Sequence, residues 1–241
     1  QQFGVNFLAA LFKNLRTDVL PIVSSRVEDL SALAQAQKLY NPQLRFKFWP
    51  LDKFDRIKNL DSLIIADTSL SRWADLRSWH EYGNSAFSLI GITHTLSSAA
   101  SLKSLMSIIG SDIQPWDALI CTSSCAREAV DHVLDFQAKR LAPRFGGYLN
   151  RHLLPKRPVI PIGCDFARFC NLAKPSSRFI ARNKLHILPD QIVFLSVGRL
   201  ELQAKSHPGV LLQAMSRMAI GRQSNYPGSP PPCLLVLGTA Q

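Results

Sequence analysis

Short apolar runs alternate with segments of helical periodicity along most of the chain, and this alternation restricts the fold more than any other feature. Ser62–Asp67, Phe87–Thr93 and Trp116–Cys121 have the composition of buried strands. Pro158-Val159-Ile160-Pro161 continues the set, its prolines suiting a strand end or edge. Gln191–Gly198 is the strongest strand signal, and Cys233–Gly238 is the last. Between them, Phe7, Leu8, Leu11, Phe12 and Leu15 recur at helical spacing. Ser123 or Ser124 can cap a helix holding Ala126, Ala129, Val130, Val133 and Leu134. Val210, Leu211, Ala214, Met215 and Met218 mark a third helix, entered near Pro208. Strand, crossover helix, strand is the pattern of a parallel sheet covered on both faces by helices, joined by right-handed crossovers. The expected class is therefore α/β.

Composition supports a packed chain. Of 241 residues, 46% are hydrophobic and 19% charged, so a real core can form and disorder is excluded. Five cysteines cannot all pair with one another, and their spacing fits no zinc pattern. Reduced thiols in a cytoplasmic setting are the expectation. No stretch is apolar enough to span a bilayer, and no signal peptide stands at the start. The chain begins with Gln1 and ends at Gln241 just past an apolar run, so both ends are expected to be cut from something longer.

Charge is concentrated. Between Phe136 and Pro189 stand Lys139, Arg140, Arg144, Arg151, Lys156, Arg157, Arg168, Lys174, Arg178, Arg182 and Lys184, against Asp165 alone, a net of +10 within a total of +11. Such a segment either attracts phosphate groups or is simply a basic surface. Nucleic acid is not the expected partner, because regularly interleaved aromatics and a recognisable binding motif are both missing. Peripheral contact with an anionic membrane through residues 136–189 is the open alternative, motivated by charge alone, with no convincing membrane-binding amphipathic helix in the sequence.

Ligands of open parallel sheets bind beyond the carboxyl ends of the strands. Four places qualify: Asp67-Thr68-Ser69, Thr93 to Ser98, Thr122-Ser123-Ser124, and Gly198-Arg199-Leu200 through Lys205. At the fourth, Gly198 lets a ligand approach the backbone. Arg199 and Lys205 offer a planar fork and a flexible ammonium before the helix at Pro208. From spacing alone they are either diphosphate ligands or exposed surface cations. His94, after an apolar strand, is either a packed residue or a site group.

Taken together, four runs resemble the family 4 (group 1) glycosyltransferases. Val193–Leu200 with Ala204-Lys205-Ser206-His207-Pro208 resembles the start of that family's donor domain. Pro158–Asp165 with Phe169 resembles its interdomain segment. Gly91–Ser98 and Trp116–Ser123 resemble two strand ends of its acceptor domain. The runs follow the family's order and cover most of residues 60–241. The resemblance implies a GT-B architecture of two Rossmann-like domains. On that basis residues 1–163 form the acceptor domain, its first strand missing. Residues 164–190 form a linker, and 191–241 begin a truncated nucleotide-sugar donor domain. It also implies sugar transfer from a nucleotide donor with retained configuration, to a glycan, lipid-linked or small-molecule acceptor, without cofactor or metal. Gly198, Arg199 and Lys205 would hold the donor diphosphate, and His94 would face the transferred sugar. Gly4, placed before the first helix, would be a remnant of the family's glycine loop.

Two departures bear on activity. The family's donor domain carries two glutamates eight positions apart, whereas Glu28, Glu81, Glu128 and Glu201 include no such pair. The interval from Arg199 to Lys205 is one residue longer than in many members. These 241 residues are therefore expected to be inactive alone. A nicotinamide-dependent dehydrogenase on the same fold type would need G-x-G-x-x-G after a strand, which is absent. A non-catalytic binding module, using the basic segment on anionic lipid or nucleic acid, is the remaining alternative.

Overall fold

The computed structural model describes residues 2–24, 30–50, 60–164, 166–198 and 208–238. The chain divides into two compact units, Gln1–Cys164 and Asp165–Gln241. Every strand pair among the described residues is parallel. The α/β class that the alternation predicts is the class observed.

The first unit opens with α1 (Gln2–Asn14), β1 (Val19–Ser24), α2 (Leu30–Tyr40) and β2 (Arg45–Pro50). β1 and β2 form a two-stranded sheet in register from Val19 opposite Arg45 to Ser24 opposite Pro50. Neither strand stands out as an unbroken apolar run in the sequence. Pro21 removes a ladder donor from β1 and obscures it. β2 has clean alternation, Arg45 and Lys47 outward against Phe46 and Phe48, which is a legible strand signal. The Phe46 ring packs 5.7 Å from that of Phe12, which is fully buried. The Asn41 amide donates to the Phe12 carbonyl at 3.0 Å, tying the end of α2 to α1.

The larger sheet follows: β3 (Ser62–Ile65), α3 (Leu70–Ser78), β4 (Ser88–Ile92), α4 (Ala99–Ser107), β5 (Ala118–Ile120) and α5 (Ser124–Phe145). Its strand order is β3-β4-β5. Residues 156–160 extend it beside β5, through bridges of Ala118 with Lys156 and of Cys121 with Val159. The expected edge position of that proline-flanked run is what the structure has. Leu89, Leu119, Leu70, Ala74, Leu105, Val130 and Leu134 form one core between the strands and the three helices. Each large aliphatic side chain buried there contributes about 1.5–3 kcal/mol relative to exposure. Gly91 is required by this packing: a Cβ there would lie 3.0 Å from both the Asp67 carbonyl oxygen and Leu70 Cγ.

One polar cluster pins the base of this sheet. Arg77, from α3, and Asp117, just before β5, are both fully buried and 2.7 Å apart. The guanidinium donates to both Asp117 oxygens and to the Phe87 carbonyl. The carboxylate also accepts from the backbone N–H of Leu89 and of Gln114, each at 2.8 Å. Arg77 shares the i, i+4, i+7 face of Leu70 and Ala74, so its place in the core was written in the helical period.

The second unit holds α6 (Phe166–Leu172), α7 (Pro175–Lys184), β6 (Val193–Val197), α8 (Pro208–Asn225) and β7 (Cys233–Leu237). The segment expected as a linker, 164–190, carries two helices, and from residue 165 on it belongs to the unit of the strands that follow it. β6 and β7 pair in register from Val193 opposite Cys233 to Val197 opposite Leu237. α7 ends at a left-handed His186, φ 56°, with the Ile187 N–H returning to the Arg182 carbonyl.

Candidate functional site

The carboxyl ends of β3, β4 and β5 come together with the N-termini of α3, α4 and α5. This follows from the connectivity, because each helix begins within seven residues of the strand before it. None of the three helices has an acidic residue in its first turn. Ser98 and Ser123 cap α4 and α5 by accepting from the N–H of Ser101 and Ala126. The helix ends give this edge of the sheet a partial positive potential.

Thr68 and Thr93 form a buried hydroxyl floor. The Thr93 N–H donates to the Ile120 carbonyl at 2.9 Å, and its hydroxyl accepts from the Thr122 N–H at 3.1 Å. The tips of β4 and β5 are therefore locked to each other. The Asp67 carboxylate accepts from the N–H and hydroxyl of Ser69, closing the turn into α3. Ser104 of α4 donates to the Thr68 carbonyl at 2.7 Å. On this floor His94, Thr95, Ser97, Ser98, Ser123 and Asp67 stand exposed. Such a surface of hydroxyls, one imidazole and helix N-termini can hydrogen-bond polyols and anions.

Cys121 lies beneath it, fully buried. Burial pushes its thiol pKa up, and the Asp131 carboxylate acts in the same direction, partly offset by Arg157 and Arg127. It is a packed thiol and not an activated nucleophile. A depression of about 490 Å³ opens at the opposite end of the sheet, beside Asp61, Phe87 and Trp116. Among the described residues no group of three or more His, Cys, Asp or Glu could hold a metal ion.

The structure distributes the sequence-derived site residues unevenly. His94 sits exposed two residues past β4, at the strand tip where the sequence put it. Gly198 directly follows β6, its N–H donating to the Leu237 carbonyl at 2.9 Å. Among the described residues nothing lies within 4 Å of a Cβ position on Gly198. Arg199 and Lys205 lie outside the described residues, between Gly198 and the start of α8. Gly4 lies inside the first turn and a half of α1, which begins at Gln2, and not in a loop before a helix. The helix simply starts earlier than its apolar stripe. The Asp67 turn and the Thr93–Thr122 lock fall within stretches the strand-end rule selects. The pairing of individual hydroxyls is visible only in three dimensions.

Comparison with known proteins gives one partial sequence match. No family model matches the chain, and no solved structure matches it. Among curated proteins, the D-inositol 3-phosphate glycosyltransferase of Geodermatophilus obscurus is 30% identical over 132 residues. The match covers 54% of this chain and 27% of that relative. The chain thus aligns with about a quarter of the relative's length.

Proposed function

We propose that the chain carries the acceptor side and the beginning of the donor side of a retaining, nucleotide-sugar-dependent glycosyltransferase of GT-B architecture. The observation that carries this reading is the 30% identity to a glycosyltransferase. It is joined to a parallel sheet whose strand tips gather hydroxyls, His94 and three helix N-termini. Departure of a nucleoside diphosphate builds negative charge, which Arg199 and Lys205 would neutralise beside Gly198 without a metal. Gly198, without a side chain, would let the diphosphate approach the backbone at the end of β6. His94 would hydrogen-bond the transferred sugar at the tip of β4. The acceptor is a glycan, a lipid-linked sugar or a small polyol, met in the cytoplasm, with residues 136–189 available for peripheral membrane contact. No pair of glutamates eight positions apart occurs in the 241 residues, so little or no transfer is expected from them alone.

The test is a titration of the chain with UDP, GDP and ADP. At least one should bind, and Arg199→Ala should weaken it by about tenfold or more, the usual scale for a lost charge-assisted hydrogen bond. His94→Ala should leave that affinity unchanged, since its role is on the sugar. Absence of binding by all three nucleotides, or equal affinity in the Arg199 variant, overturns the donor assignment. Robust sugar transfer by the 241 residues would overturn the expectation of inactivity.

A further inference from the structure

Two tryptophans of the first unit stand exposed although the strand tips make no use of them. Trp79, just past α3, is 81% exposed, and Trp116, just before β5, is 47% exposed. Each borders its own depression. Trp116 shares the one of about 490 Å³ with Asp61, Ser85 and Ser88. Trp79 closes another, of about 470 Å³, which runs along α3 past Ser71, Arg72 and Asp75. Both volumes fall within the range of about 300–1,000 Å³ usual for small-molecule sites. Arg72, Asp75 and Trp79 follow i, i+3, i+7 spacing and so share one face of the helix.

The chain between the two depressions is held in place. Three successive turns follow α3, with the N–H of His80, Gly83 and Ala86 donating to the carbonyls of Arg77, His80 and Gly83. The buried His80 ring accepts the Tyr82 N–H on Nδ1 at 3.2 Å and lies 5.5 Å from the exposed Tyr82 ring. Even a fully extended chain from Trp79 to Ser85 would reach only about 20 Å, and the turns shorten it. The indoles also share one mount. Trp79 is two residues from Arg77, and Trp116 is next to Asp117, the partners of the buried ion pair. Both rings are therefore carried by rigid backbone close to each other.

The two depressions repeat one chemistry: an indole, a carboxylate and serine hydroxyls. The indole face is the negative side of the ring quadrupole and takes the C–H bonds on the flat side of a pyranose. A carboxylate offers two acceptor oxygens to neighbouring sugar hydroxyls, and a serine both donates and accepts. Asp61 and Arg72 are exposed, and among the described residues neither is held in an ion pair. Asp75 accepts from the Asp112 N–H at 3.4 Å, which leaves its second oxygen for a ligand. A carboxylate in each depression repels anions. Aspartate and serine are also depleted at protein interfaces, which makes a protein partner the poorer fit. We infer that the two depressions bind a neutral glycan chain, stacking its sugar rings on Trp79 and Trp116, apart from the strand tips around Thr93 and His94. Such binding needs no transferase activity.

The test is a nuclear magnetic resonance titration of the isotope-labelled 241-residue chain, whose indole N–H signals come from Trp49, Trp73, Trp79 and Trp116. The probes are cellohexaose, maltohexaose and mannohexaose. At least one should move the Trp79 and Trp116 signals and leave those of Trp49 and Trp73, which pack against the core, in place. Trp79→Ala and Trp116→Ala should each weaken that binding by at least about tenfold. Asp61→Asn and Asp75→Asn, which keep side-chain volume, should each weaken it by about threefold. All four side chains are exposed, so circular dichroism should not change. His94→Ala should bind as the parent does. Either indole of the pair unmoved by all three sugars, or parental affinity in both tryptophan variants, overturns the inference. So does binding lost in His94→Ala and kept in the tryptophan variants, which would put the glycan at the strand tips. Self-association that the tryptophan variants abolish, without any shift by sugar, would show a protein interface and overturns it as well. A chain that binds no nucleotide yet shows these shifts loses the donor assignment alone, and one that binds nucleotide without them loses the glycan site alone.

Discussion

β4 and β6 are both five-residue parallel strands drawn from continuous apolar runs, yet their surroundings are opposite. In β4, Leu89, Gly91 and Ile92 are buried, roofed by α3, α4 and α5. In β6, Phe194, Leu195 and Val197 are exposed, and so are Val236 and Leu237 on its partner β7. Among the described residues of the second unit, Ile187 is the one buried hydrophobic side chain. α8 follows β6 in the strand–helix pattern but leaves Val210, Leu212 and Ile220 in solvent. A backbone ladder and an apolar sequence are therefore not sufficient for a core. Stability comes when helices close over the strands, and among the described residues that closure is found in the first unit.

The sharpest way to break this comparison is at the base of the larger sheet. Asp117→Ala leaves the Arg77 guanidinium buried without its carboxylate and strips the Leu89 and Gln114 N–H groups of their acceptor. Breaking a buried pair on one side costs about 3–5 kcal/mol. Typical domains have only about 5–15 kcal/mol in total, so much of the first unit's margin would go. All four tryptophans, Trp49, Trp73, Trp79 and Trp116, belong to the first unit, so their fluorescence reports it alone. The expected outcome is a large drop in the urea midpoint by this signal. A midpoint within a few tenths molar of the parent would show that the cluster contributes little. Replacing both partners, Arg77→Met with Asp117→Leu, should recover much of the loss, because it removes the unpaired charge.

A matched pair of smaller truncations sharpens the contrast. Leu119 is fully buried at the centre of β5, and Leu195 is 59% exposed at the centre of β6. Leu119→Ala should cost about 2–5 kcal/mol, the range for core leucines. Leu195→Ala should cost less than about 0.5 kcal/mol, the usual surface range. Urea unfolding followed by tryptophan fluorescence for the first variant, and by circular dichroism for the second, measures both. Equal costs would mean that the second unit has a core the exposed strand faces do not reveal.

The same contrast explains what could be read from the sequence. The strands β3 to β7 and the helices α1, α5 and α8 were legible because their apolar periods are unbroken. The strand-end rule also picked out Asp67, Thr93, His94 and Thr122, since chain connectivity alone brings strand tips together. β1 was hidden by Pro21, and β2 was passed over despite its alternation. The start of α1 was set too late because its apolar stripe begins after Gly4. The Arg77–Asp117 pair was beyond a one-dimensional reading: a charged residue on an apolar face has no visible partner 40 positions away.

The smallest expected effect lies at the end of α7, where the second unit makes its one left-handed non-glycine turn among the described residues. His186 closes the helix with φ 56°, its own N–H donating to Asn183 and the next, that of Ile187, to Arg182. The Arg182 side chain reaches past it to the carbonyls of Leu188 and Gln191, the latter at 2.6 Å. This clasp holds Ile187 in its buried position. An L-residue in the left-handed region costs about 1–2 kcal/mol, and glycine recovers part of that while losing more entropy on folding. His186→Gly should therefore stabilise α7 by roughly 0.5 kcal/mol. Hydrogen exchange should show it as about twofold slower opening of the α7 amides, with the tryptophan signal of the first unit unmoved. Faster exchange in the glycine variant would mean that the imidazole itself holds the turn, and that this unit depends on side-chain clasps where the other depends on a core.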